Sequence, residues 1–162
     1  MYTPPHFVQP RIDLMQALVA ANPLATLVTN SSCGLDANHI PLLLRQDGSA
    51  YGKLVGHVAR SNPLWEQATP TLEILAIFHG PECYISPSFY ATKQETGKVV
   101  PTWNFAVVHA YGSLRAIDDP QWLMEQLEEL TSHNERDMPN PWTVSDAPTE
   151  FARHLLGAIV GI

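Results

Sequence analysis

The stretch LEILAIF, residues 72–78, decides the fold. Six apolar residues around one charge, closing on Ile77 and Phe78, make a run too short for a buried helix and well suited to a buried strand. Working outward, FAVVHAYGSLRAI, residues 105–117, predicts a long strand whose Gly112 marks a bulge or bend. Towards the N-terminus, residues 24–29, 39–44 and 51–58 predict three more strands, separated by turn signals at NSSCG and at Asp47-Gly48.

Helices punctuate this pattern. Ile12, Met15, Leu18 and Val19 recur at helical spacing before Asn22-Pro23 stops the run. Asn62-Pro63 predicts the start of a short helix carrying Trp65. Asp119-Pro120 caps a helix with Leu123, Leu127 and Leu130 on one face, and Pro148 opens another with Phe151, Leu155, Leu156 and Ile159 directed to the core. Polar, proline-rich residues between them predict a surface loop. The sum is a mainly β protein with helices, an α+β antiparallel barrel of about six strands, folded as one domain over residues 1–162. The apolar ending IVGI carries the expectation of a further strand beyond Ile162.

Composition narrows the function. Hydrophobic residues make up 45% and charged residues 15% of the 162, so the chain can bury a substantial core, and the low charge predicts surface covered by a second copy. A net charge of −7, with nine Lys and Arg scattered along the chain, disfavours direct DNA binding, which needs clustered cations. Cys33 and Cys83 fit neither a disulfide scaffold nor a close-spaced metal motif, which suits a reduced cytoplasm. His39, His57, His79 and His109 lie in or beside strands but form no compact ligand spacing; only their number raises haem as an option. No GxSxG elbow, Walker loop or GxGxxG occurs.

Three polar segments carry the chemistry: GHVARSNPLW (residues 56–65), YISPSFY (84–90) and VVPTWNF (99–105). They combine cations (Arg60, Lys93, Lys98), small hydrogen-bonding groups (Ser61, Asn62, Ser86, Ser88, Thr102, Asn104) and flat walls (Tyr90, Trp103), the requirements of a phosphorylated flavin. Each has a plainer reading. Arg60 serves equally as half of a structural ion pair, Asn62 as a cap, Trp103 as a core anchor, and Ser86 and Ser88 as turn residues.

Together GHVARSNPLW, IFHGPECYISPSFY (77–90) and VVPTWNFAVVHAYG (99–112) closely resemble the PaiB-like family of FMN-binding negative transcriptional regulators, and MYTPPHF, LATLVT, HIPLLL, LEELTSHNE and IVGI follow the family's order. The resemblance implies an FMN-binding split β-barrel, a homodimer with FMN at the subunit interface, and cofactor contacts from His57, Arg60, Ser61, Asn62, Ser86, Ser88, Tyr90, Lys93, Thr102, Trp103 and Asn104. It also implies a chain that is short at its C-terminus relative to the family. No helix-turn-helix with a basic face is present, so regulation would run through flavin redox state or a protein partner. The alternative the same features allow is an FMN-dependent oxidoreductase of the flavin-reductase or pyridoxamine-phosphate-oxidase type.

Overall fold

A computed structural model describes residues 1–31, 34–68 and 73–162. Leu72, at the start of the expected strand, and Ser32 and Cys33, in the expected NSSCG turn, lie outside the described residues. The elements run α1 (Ile12–Ala21), β1 (Leu24–Ser31), β2 (Gly34–Pro41), β3 (Leu43–Arg45), β4 (Lys53–Val55), β5 (His57–Ala59), β6 (Glu73–Ile85), α2 (Thr92–Thr96), β7 (Thr102–Ser113), α3 (Pro120–Glu135), α4 (Thr149–Leu156) and β8 (Ile159–Gly161). This is the expected mixed α+β fold, all its sheets antiparallel. None of the described helices is long and apolar enough to cross a membrane.

Strand order in the largest sheet is β2-β1-β6-β7, with β3-β4 and β5-β8 forming two further ladders. Alternation explains why these strands form: Ala25, Leu27 and Thr29 of β1 are buried while their neighbours are not, and Ala76 and Phe78 do the same on β6. One core unites the three ladders, for Leu27, Ile40, Val58, Phe78 and Ile162 belong to a single buried cluster against which Leu44 of β3 and Leu54 of β4 pack.

The C-terminal strand is the closure. Gly56 and Ile162 exchange paired backbone hydrogen bonds at 3.0 Å, and Gly161 exchanges two more with Ile117 just beyond β7. β8 therefore stitches β5 to the chain leaving the main sheet. Val160 is fully buried and Gly161 and Ile162 are buried with it, so the apolar character of IVGI is explained by the core it fills.

Several boundaries differ from expectation for identifiable reasons. β6 continues to Ile85, because a bulge absorbs HGPE: His79 pairs with Val107 and Glu82 with Phe105, leaving Gly80 and Pro81 opposite Ala106 alone. Pro81, which cannot donate to a ladder, sits where the ladder is already broken. The expected irregularity at Gly112 is absent, since Gly112 pairs regularly with Ile74. The helix after Asn62-Pro63 is one 3-10 turn, Trp65–Gln67. On α4 only Leu156 is buried, whereas Phe151 and Leu155 are exposed. The caps at Asp119-Pro120 form as expected, the Asp119 carboxylate accepting from Gln121 N–H at 2.9 Å.

Candidate functional site

The first polar segment leaves β5 and lines a hollow of about 370 Å³ with residues of β2 and β8: Asn38, His39, His57, Asn62 and Ile159 among them. Its polar groups are aligned by a hydrogen-bond chain that starts in the backbone. Leu64 N–H donates to Asn62 Oδ1 at 2.9 Å, the Asn62 amide donates to Asn38 Oδ1 at 2.7 Å, and the Asn38 amide donates to the Asp36 carboxylate at 3.0 Å. Because the backbone donor fixes which end of Asn62 is oxygen, the polarity of the chain is set, and each amide keeps one N–H to spare. His57 meets Gln126 of α3 at 2.8 Å through its Nδ1.

Arg60 is occupied otherwise. Its guanidinium donates to both oxygens of Asp118 at 2.9 and 2.6 Å and to the carbonyls of Gly157 and Ile159 at 2.7 and 3.1 Å. Hydrogen bonding with Asp118 raises the pKa of Arg60, and the same contact lowers that of Asp118. Of the two sequence readings of Arg60, the geometry displays the ion pair: four of five donors are committed to holding β8 beside β5. Ser61 is exposed beside it. Asn62 both caps the following turn and lines the hollow.

The second and third segments form one hairpin end. Tyr84 pairs with Trp103, Cys83 with Asn104, and Ile85 with Thr102, so residues far apart in sequence face one another across β6 and β7. Strand alternation puts Trp103 on one face with Phe105, Tyr84 and Glu82, and Thr102 and Asn104 on the other. The Trp103 indole donates to Glu82 at 3.3 Å and its ring lies 6.0 Å from that of Tyr84. Beyond β6, the Ser86 hydroxyl accepts from Ser88 N–H at 3.2 Å, and Lys93 Nζ reaches Ser88 Oγ at 2.8 Å; Tyr90 is exposed between them. Lys93 and Ser88 thus present an ammonium and a hydroxyl side by side in solvent.

Under this hairpin, on the outer face of the sheet, a second hollow of about 310 Å³ is lined by Ile77, His79, Glu82, Trp103, Phe105 and His109, with Met1 at its edge. Burial lowers the His109 pKa, with the chain's amino terminus and His79 adding to the effect. Its Nδ1 finds no hydrogen-bond partner among the described residues. Among those residues no group of three His, Cys, Asp or Glu could hold a metal ion.

Two residues that sequence reasoning passed over contribute here. Asn38 extends the amide chain, and Gln126 supports His57. Gln126 lies three positions after Leu123 on α3, so its spacing alone placed it on the apolar face of that helix.

Antiparallel ladders around one core make this a mixed α+β protein, and comparison with known proteins places it in a family. The whole chain, residues 1–162, belongs to the family described as "Putative FMN-binding domain", and its cofactor is accordingly FMN. It is 36% identical to an uncharacterized protein of Emericella nidulans over all of this chain and 78% of that one. It is 30% identical to the protease synthase and sporulation protein PAI 2 of Bacillus subtilis over 99% of this chain and 74% of that one. The FAD and heme binding protein from Mycobacterium smegmatis shares the fold with a TM-score of 0.67 at 14% identity over 94% of this chain, and the flavocytochrome Anf3 from Azotobacter vinelandii with 0.62 at 13% over 95%. The chain spans just under two thirds of each, 65% and 66%.

Proposed function

We propose that this protein is a cytoplasmic FMN-binding negative transcriptional regulator that works as a homodimer and passes flavin redox or metabolite state to a protein partner. One observation carries the dimer. Within one chain the His57–Asn62 hollow and the Trp103 hollow share no lining residue, while the hairpin that bears Trp103 exposes Tyr84, Phe89, Trp103 and Phe105. A cluster of large exposed apolar side chains favours burial against another surface, and the first segment of a second copy is the surface that would complete a flavin site. FMN supplies one- and two-electron redox chemistry when bound.

In that arrangement Trp103 and Tyr90 wall the ring, and the spare amide hydrogens of Asn62 and Asn38 meet acceptors on its polar edge. Lys93 with Ser88 takes the phosphate, because Arg60 is held by Asp118. Ser61 and Ser86 contribute from the rims, whereas Thr102 and Asn104, expected at the cofactor, lie on the opposite face of β7 from the ring that Trp103 walls. Lys93→Ala is expected to weaken FMN binding about ten-fold, the scale of a charge-assisted hydrogen bond, without lowering the melting temperature of the flavin-free protein. Fluorescence titration with FMN checks the first half and thermal denaturation the second.

The absorbance spectrum of the purified protein tests the reading as a whole. A yellow protein with near-stoichiometric FMN, dimeric by light scattering and inert towards NAD(P)H, supports it. Rapid nicotinamide oxidation would replace it with the oxidoreductase alternative.

A further inference from the structure

Gln126 is fully buried on α3, a place where an uncharged polar side chain persists only if it is hydrogen-bonded. Its one side-chain hydrogen bond among the described residues runs towards the polar hollow: Oε1 lies 2.8 Å from Nδ1 of His57, which lines that hollow, and Nε2 is left without a partner among the same residues. The one hydrogen bond it makes contributes no more than its orphaned buried donor costs. The buried amide is therefore better explained by what it does to the imidazole than by what it adds to stability.

With the Gln126 amide turned so that Oε1, which only accepts, faces the ring, His57 Nδ1 carries the proton. In a neutral imidazole the other ring nitrogen is then a bare acceptor. We propose that Gln126 is a positioning residue that locks His57 in the Nδ1–H form and so presents Nε2 to the hollow as a hydrogen-bond acceptor for an N–H group of the bound ligand. Combined with the spare amide donors of Asn38 and Asn62, this gives the one hollow both donors and an acceptor. The chemical class that matches is a planar cyclic imide, whose N–H is flanked by two carbonyl oxygens. The inference rests on the flavin reading of this hollow, since the pyrimidine edge of FMN is such an imide.

The two can be judged separately. Nitrogen NMR of the flavin-free protein at pH 8 reads the His57 tautomer directly, and FMN titration reads the hollow. The expected result is Nδ1–H in the native protein, a mixture of tautomers in Gln126→Leu, and FMN bound about five- to ten-fold more weakly by that variant, the effect of one misdirected hydrogen bond. Gln126→Met serves as the second variant should Leu pack poorly, with the same expectations. A native His57 protonated on Nε2, or an unchanged Nδ1–H in either folded variant, overturns the positioning role. A shifted tautomer with FMN affinity unchanged overturns the link to the ligand. Failure of the native protein to bind FMN at all, with the tautomer as expected, sinks the flavin reading and not the role of Gln126.

Discussion

Arg60 shows how a single side chain can serve the fold while its neighbours His57 and Asn62 line a hollow. Its guanidinium bridges Asp118 and two carbonyls around β8, so Arg60→Ala is expected to lower the melting temperature and speed amide exchange at Val160 and Gly161, both measurable without cofactor. Because Asp118 has its pKa lowered in the folded state, the pair's contribution is complete above the ordinary Asp value and is lost as pH falls through the lowered one, below about pH 4. His109 acts in a different window. Its folded pKa is also lowered, chiefly by burial, so the folded state binds its proton less readily than the unfolded chain does. Urea-unfolding stability should therefore decline as pH drops below about 6.5, and His109→Leu should flatten that decline. The sequence showed that Arg60 was a lone cation before a turn. It could not show Asp118, fifty-eight positions away, arriving to neutralise it.

At the scale of elements, local signals were legible and long-range ones were not. Proline and Asx caps announced α3, and a short apolar run ended by a turn signal announced β1, because both depend on residues close to one another in the chain. The strand expected over residues 72–78 stops at Phe78, whereas β6 runs on through the bulge at Gly80-Pro81 because its partner β7, supplied later in the chain, continues opposite it. Phe151 and Leu155 matched a buried helical face by spacing yet stand exposed, a reminder that periodicity identifies a face and not what covers it. β8 was the element least visible, three residues long and stable only between β5 and Ile117. Its packing is tight enough to test. A Cβ at Gly161 would run into the Trp122 ring and come within 3.1 Å of the Ile117 carbonyl. Gly161→Ala is therefore expected to destabilise by about 1–3 kcal/mol, as overpacking does, measured by chemical denaturation.

For the molecule as a whole, the site was half legible. The types of residue a flavin needs were evident in three segments, and two of these do converge, at the β6–β7 hairpin. The first segment occupies a separate hollow, so under the proposed dimer its relation to the others belongs to the pairing of two chains, which no intrachain periodicity encodes. Phe105 is 62% exposed on the face that the proposed dimer covers. Phe105→Glu should give a folded monomer by light scattering, with FMN affinity falling alongside dimerisation; a dimeric variant would place the contact elsewhere. Finally, β5 waits a long time for β8: Ile159 follows Arg60 by ninety-nine positions, yet their atoms touch. During synthesis, Val58 and Phe78 emerge from the ribosome long before the segment that roofs them. The nascent protein is thus expected to stay open and chaperone-accessible until translation has passed Gly161, and then to close in one late step.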